Sequence, residues 1–130
     1  MAREIAHGLA DSGVNVKLYD IAQSDSTDIF KEMLDAKGFI IGSSTHDNGM
    51  LPVIASFMQL LKGFKPKGRK ASVFGSYGWG GGAIKEIEEI LRKTGIEVVK
   101  EGLSINYVPD EKELRRCYDY GKEFAHSVIV

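Results

Sequence analysis

Apolar positions recur with two different spacings along the chain, and the spacing changes at short polar or glycine-containing segments. Spacings of three and four residues predict helices, whereas short β-branched and apolar runs predict strands. Helical spacing covers residues 1–12, 26–34, 52–61, 83–94 and 110–125. Strand-like runs cover residues 14–19, 38–42, 70–74 and 96–99, the last together with 103–105. Strands and helices therefore alternate along the whole chain.

This alternation is typical of a parallel sheet that is covered by helices on both faces. The run Gly-Phe-Ile-Ile-Gly at 38–42 is apolar without interruption, as expected for a strand buried on both faces. Gly13 and Gly95 suit the ends of helices, and Pro52 and Asp110 suit the beginnings of two others. We predict a doubly wound, three-layer α/β fold that forms one domain over residues 1–130.

Loops at the carboxyl ends of the strands are the candidate sites, because open α/β sheets bind their ligands there. These loops are residues 20–23, 43–49 and 76–82. The third reads Ser-Tyr-Gly-Trp-Gly-Gly-Gly and holds the only tryptophan of the chain. Glycine allows close approach of the backbone to a flat ligand, so Tyr77 and Trp79 are predicted to stack on a planar heterocycle. The alternative is that both side chains plug the end of the sheet.

The loop at 43–49 reads Ser-Ser-Thr-His-Asp-Asn-Gly and offers hydroxyl and amide groups directly after a buried strand. Such groups suit the polar edge of a ring. Alternatively, the loop is a capped turn into the following helix, with Asn48-Gly49 as the tight turn. His46 by itself is typical of a solvated loop, and it gains interest only if it faces Trp79.

Composition narrows the choice of partners. Hydrophobic residues make up 43% of the chain and charged residues 27%, which is typical of a soluble globular protein. The net charge of −1 and the lack of a basic stripe argue against nucleic acid and anionic membranes as partners. Cys117 is the only cysteine, so no internal disulfide is expected, and a reducing cytoplasm is predicted. The three histidines are scattered, so no metal site is predicted.

Two longer motifs resemble a known family. The segments Val-Phe-Gly-Ser-Tyr-Gly-Trp-Gly-Gly-Gly-Ala at 73–83 and Gly-Ser-Ser-Thr-His-Asp-Asn-Gly-Met-Leu-Pro at 42–52 resemble the flavin loops of flavodiiron proteins, or A-type flavoproteins. The likeness continues at 61–66, 95–99 and 107–110 and covers essentially all 130 residues. It implies a flavodoxin-like domain that binds FMN and passes electrons to a diiron centre that reduces dioxygen or nitric oxide. The diiron centre of the family lies in a separate metallo-β-lactamase-like domain, which nothing here resembles.

The resemblance also implies roles for the loop residues and for partners. Tyr77 and Trp79 would stack beside the isoalloxazine, and the 43–49 loop would supply polar contacts near its pyrimidine edge. Expected partners are a diiron metallo-β-lactamase-like domain or subunit and a small redox donor such as rubredoxin or ferredoxin, in a homo-oligomer. Ser44 departs from the family, which often has proline there. The implied FMN contacts are Ser43, Ser44, Thr45, His46, Asn48, Gly49, Ser76, Tyr77, Gly78, Trp79, Gly80 and Gly81.

The amino-terminal part departs most from the family. The chain opens on what resembles the first helix, without the first strand and the phosphate loop that precede it in the family. That strand would lie between residues 14–19 and 38–42, so the fold is expected to be truncated there and FMN to bind weakly or not at all. A flavin-free interaction or assembly module is the alternative function. The terminal Ser-Val-Ile-Val at 127–130 is either a strand that fills the slot or a helix end.

Overall fold

The computed structural model describes residues 1–129, in which helices and strands alternate as expected. The helices are α1 (Ala2–Asp11), α2 (Ser26–Asp35), α3 (Pro52–Phe64), α4 (Ala83–Lys93) and α5 (Glu111–Ile129). The strands are β1 (Gly38–Gly42), β2 (Thr45–His46), β3 (Gly49–Met50), β4 (Lys70–Tyr77), β5 (Glu97–Val98) and β6 (Leu103–Asn106). A short 3₁₀ turn covers Ile21–Gln23. No helix in this part of the chain is long and apolar enough to cross a membrane.

Strand β4 is the centre of a parallel sheet. On one side it pairs with β1, from Gly38 opposite Lys70 to Gly42 opposite Phe74. On the other side its first residues pair with β5 and its last four with β6. The predicted strand at 96–99 and 103–105 is thus two short strands along one edge of β4. The carboxyl ends of β1, β4 and β6 lie at the same edge of the sheet.

Helices cover both faces of the sheet, which confirms the three-layer prediction. Alternate residues of β4 point to opposite faces, as the period of a strand requires. Val73 belongs to a core shared with α2, α3 and α4, whereas Phe74 packs against the core formed by α1, α5 and β6. Asp110 caps α5 as predicted, because its carboxylate accepts from the Glu113 N–H at 2.8 Å while Glu113 accepts from the Asp110 N–H at 3.2 Å.

The prediction of a strand at residues 14–19 is wrong. These residues form no ladder, and Leu18 and Tyr19 are exposed. The alternating pattern needs a neighbouring strand to satisfy its backbone groups, and within residues 1–129 the one neighbour of β1 is β4. The chain instead enters the 3₁₀ turn, where the Asp20 carboxylate accepts from the Ala22 N–H at 3.0 Å.

The carboxyl-terminal segment is helical, so of the two alternatives given for it the strand is wrong for residues 127–129. Helix α5 continues to Ile129, and Val130 lies outside the described residues. The Lys70 ammonium donates to the Ser127 carbonyl at 2.7 Å, which satisfies one of the last carbonyls of the helix. The alternative that the sequence left open, a helix end, is confirmed for these residues.

Candidate functional site

The loop after β1 is a small hairpin at the carboxyl edge of the sheet. Strands β2 and β3 pair Thr45 with Met50 and His46 with Gly49. Asp47 and Asn48 join them with φ of 48° and 63°. Two-residue hairpin turns of type I′ require positive φ at both central residues, and Asp and Asn tolerate this conformation. The tight turn is therefore Asp47-Asn48, and not Asn48-Gly49 as the alternative for this loop had it, because Gly49 is already paired in the strand.

Ser43 closes the base of this hairpin. Its side chain is buried, and its hydroxyl accepts from the Leu51 N–H at 3.0 Å and donates to the Ser44 carbonyl at 2.8 Å. Its N–H donates to the Phe74 carbonyl at 3.1 Å. The Ser43 hydroxyl, which was predicted to contact a ligand, therefore already donates its proton to a hydrogen bond within the loop.

The hairpin is held to the end of the glycine-rich loop by a close backbone contact and to the first turn of α4 by hydrogen bonds. The Ala83 N–H donates to the Thr45 hydroxyl at 3.4 Å. The Met50 N–H donates to the Glu86 carboxylate at 3.2 Å. A Cβ at Gly82 would overlap the carbonyl of Asn48, so this approach requires glycine. The two candidate loops thus form one surface.

The glycine-rich loop presents its tryptophan to solvent. Trp79 is fully exposed, with a relative accessibility of 102%, so the alternative that it plugs the end of the sheet is wrong. Tyr77, by contrast, is half-buried. A Cβ at Gly80 or Gly81 would meet open space. Within residues 1–129, the N–H groups of residues 78–82 donate no hydrogen bond to the protein.

A cleft of about 430 Å³ lies beside this loop, between α4 and the segment that leads into β6. It brings together some of the predicted residues with Glu101, Gly102 and Ser104, which the sequence did not indicate. The predicted residues that line it are Thr45, Ser76, Tyr77 and Gly81. The predicted residues outside it are Ser43, Ser44, His46, Asn48, Gly49, Gly78, Trp79 and Gly80.

His46 is exposed at the tip of the hairpin, where its Nε2 atom lies 3.4 Å from the Asp47 carboxylate, which is also exposed. Screening by water leaves little energy in such a pair. In the described part of the chain, no group of three or more His, Cys, Asp or Glu side chains is placed to hold a metal ion.

Two residues at this edge were missed by reasoning from the sequence. Glu86 lies in the first turn of α4 and connects it to the hairpin, a contact between residues 36 positions apart that no local pattern predicts. Tyr107 follows β6 and lies against Gly78. Two signals could have indicated it: its place directly after a strand that ends at this edge, and the family likeness at 107–110.

A comparison with protein families matches residues 1–121 to the family described as flavodoxin. The chain belongs to the flavodoxin family. It is 41% identical over 129 residues to the nitric oxide reductase of Moorella thermoacetica, covering 98% of this chain and 32% of that protein. These findings confirm the fold class predicted from the sequence.

Solved structures agree with this assignment. The rubredoxin oxygen:oxidoreductase of Desulfovibrio gigas is 30% identical with a TM-score of 0.93, covering 98% of this chain and 32% of that one. The flavodiiron protein of Giardia intestinalis is 25% identical with a TM-score of 0.91, covering 98% and 33%. The resemblance to flavodiiron proteins is therefore confirmed. The chain spans about a third of the length of these proteins.

Proposed function

We propose that this chain is an electron-transfer domain that binds FMN and belongs to a flavodiiron-type oxidoreductase. The observation that carries the proposal is the fully exposed Trp79, held in a glycine-rich loop at the carboxyl edge of the sheet. Membership of the flavodoxin family and similarity to a nitric oxide reductase support it. None of the relatives named above supports the alternative of a flavin-free assembly module.

The residues at this edge fit a flavin ring. Trp79 offers a large aromatic face without protein contacts to displace, since it is fully exposed. The open space at Gly80 and Gly81 allows a planar ligand to approach the backbone closely. The free N–H groups of residues 78–82 are donors of the kind that stabilise negative charge on a reduced ring.

Each loop has its own role in this proposal. Tyr77 and Trp79 stack on the isoalloxazine, and the backbone of residues 76–81 donates to its polar edge. Ser44, Thr45 and His46 of the hairpin, with Asn48 and Gly49, contact the pyrimidine side. Bound FMN would supply the electron-accepting and electron-donating chemistry; the residues of the chain bind it, orient it and tune its charge.

The names of the related proteins support a proposal for the redox partners of this chain. We propose that electrons pass from a small redox protein such as rubredoxin or ferredoxin, through this domain, to a diiron domain or subunit that reduces dioxygen or nitric oxide. Residues 1–130 act as one domain in this scheme, in a homo-oligomer, with the cytoplasm as its compartment. The free, buried thiol of Cys117 is consistent with a reducing compartment.

We further propose that the 130 residues bind the ring of FMN better than its phosphate. Phosphate groups bind at helix N-termini that carry hydroxyl and N–H donors. Residues 1–11 contain no serine or threonine, and Met1 at the N-cap of α1 makes no side-chain capping bond.

Titration of the purified chain with FMN tests the proposed function. We expect the flavin absorption bands to shift and the flavin fluorescence to be quenched as the ring stacks, with parallel quenching of Trp79. Adenosine monophosphate, which carries a phosphate but no isoalloxazine, is the control and should leave Trp79 unchanged. If FMN at millimolar concentration behaves like adenosine monophosphate, the proposal is wrong.

A further inference from the structure

Tyr107 adopts a conformation that is unfavourable for a bulky residue. It follows β6 directly, with φ of 58° in the left-handed region. Such a conformation costs about 1–2 kcal/mol for a residue other than glycine, so the surrounding structure must hold it. The Tyr107 N–H donates to the Tyr77 carbonyl at 2.8 Å, directly after the paired residues Tyr77 and Asn106 of β4 and β6.

The side chain of Tyr107 contacts the same part of the molecule. A Cβ built on Gly78 would lie 3.3 Å from a ring carbon of Tyr107, so the ring rests on the Gly78 backbone. The side chain is nevertheless 64% exposed, so the free energy gained by burying the ring offsets little of the cost of the strained backbone. Both contacts fall on Tyr77 and Gly78, the two residues directly before Trp79.

We propose that Tyr107 is a positioning residue for the flavin site. Its N–H and its ring fix Tyr77 and Gly78, and thereby the direction in which Trp79 and the free N–H groups of the loop face the ligand. A segment with so many glycines samples many conformations unless it is anchored. Ordering it on binding would then cost conformational entropy and weaken the affinity. This inference rests on the proposed function and assigns a role to a residue outside the two loops.

Tyr107→Asn separates positioning from simple stability. Asparagine tolerates positive φ and keeps the N–H, but it removes the ring. We expect the Kd for FMN to rise about tenfold, while the free energy of unfolding without flavin stays the same or increases as strain is relieved. Tyr107→Phe keeps the ring and should bind like the wild type. Val108→Ala, at a neighbouring residue that is 84% exposed, is the matched control.

Gly78→Ala provides a reciprocal test. The added methyl group meets the Tyr107 ring in the wild type, so we expect weaker FMN binding there and a smaller effect in a Tyr107→Asn background. A coupling of this kind is what a double-mutant cycle measures for residues in contact. Gly63→Ala, where a Cβ meets open space in α3, controls for the change from glycine to alanine and should not affect binding.

Fluorescence anisotropy of Trp79 tests the inference without flavin, because the chain has one tryptophan. We expect Tyr107→Asn to lower the anisotropy and Tyr107→Phe to preserve it. Unchanged anisotropy and unchanged Kd in Tyr107→Asn would overturn the inference, as would a loss of binding that parallels a loss of stability. Failure of the wild type to bind FMN would refute the proposed function instead, and the anisotropy would then decide whether Tyr107 positions the loop.

Discussion

The Trp79 side chain is fully exposed and therefore contributes little to the packing of the protein. Single exposed hydrophobic residues are common on protein surfaces and by themselves call for no explanation. This one differs because glycines surround it, so the loop leaves open space around the ring and free N–H groups beside it. The same residues that fail to bury the indole leave room for a flat ligand to do so.

Trp79→Ala is therefore expected to affect binding and not folding. Stacking of a nucleobase on an aromatic side chain contributes about 1–3 kcal/mol, and a flavin should gain a similar amount. The Kd for FMN should rise by about 5- to 150-fold, whereas urea unfolding without flavin should shift by less than about 0.5 kcal/mol. A loss of several kcal/mol of stability would mean that the indole is buried in solution.

Tyr120 shows the opposite situation, a polar side chain inside the core. Its hydroxyl contacts the Ser72 hydroxyl and lies 3.0 Å from the Glu101 carbonyl and 3.2 Å from the Val73 carbonyl. Helix α5 is thereby linked to β4 and to the segment between β5 and β6, which is the segment that borders the cleft. Burial is the main cause that raises the pKa of the Tyr120 phenol above its ordinary value of 10.0.

A raised pKa makes the contribution of Tyr120 to stability depend on pH. The folded state favours the neutral phenol, so this contribution is complete below about pH 10 and is lost as the pH rises through the folded-state pKa. Tyr120→Phe should cost about 1–3 kcal/mol at neutral pH, because it leaves the Val73 and Glu101 carbonyls without this donor and removes one of the two contacts of the Ser72 hydroxyl. The difference between the two proteins should shrink in alkaline solution. Urea midpoints across this range measure it, and Cys117, which also titrates there, is common to both. A constant difference would contradict the prediction.

At the scale of elements, hydrophobic spacing predicts structure well where a segment supplies its own partners. All five helices and the central strand were predicted because their backbone bonds or their apolar faces follow from local sequence. The prediction of a strand at residues 14–19 was wrong because a strand needs a neighbouring strand, and no local pattern guarantees one. For the β-branched residues 128–129 the sequence left a strand and a helix end open, and the second holds because the helix already in progress continues and Lys70 satisfies its end.

The candidate site was predictable at the level of loops and not of contacts. Loops at the carboxyl ends of β1 and β4 must meet, because the strands are parallel neighbours. The contact of Glu86 with the hairpin and the strain at Tyr107 depend on distances between segments remote in sequence. Ser43 illustrates the difference, because its hydroxyl closes the loop by accepting from the Leu51 N–H, a contact that the sequence did not indicate.

The packing of α1 on α5 gives a prediction at this scale. A Cβ at Gly8 would overlap the Tyr118 carbonyl, so the two backbones touch at this point. Gly8→Ala should destabilise the protein by about 1–3 kcal/mol, although alanine favours the helix by up to about 1 kcal/mol. At Gly63 an added methyl group meets open space, so Gly63→Ala gains the helical propensity of alanine without a clash and should stabilise the protein slightly. Equal effects of the two substitutions on thermal unfolding would show that the helices pack less closely.

At the scale of the whole molecule, the hydrophobic cores and the proposed ligand contacts lie in different regions. The two cores lie between the sheet and its helices, whereas the glycine-rich loop and the hairpin extend beyond the carboxyl edge. Substitutions at the tips of these loops can therefore alter binding without much effect on folding.

The comparison of riboflavin with FMN is the test at this scale. The proposed ring contacts lie in residues 76–82 and in the hairpin, and residues 1–11 offer no hydroxyl group to a phosphate. Each charge-assisted hydrogen bond to a phosphate contributes about 1.5–3 kcal/mol, so a complete phosphate site would favour FMN by far more than tenfold. We expect the two ligands to have Kd values within a few-fold of each other for this chain, with little dependence on salt. Parallel titrations, followed by quenching of flavin fluorescence at low and high ionic strength, measure both quantities. A strong preference for FMN that fades with added salt would place a phosphate-binding group among these 130 residues and contradict the prediction.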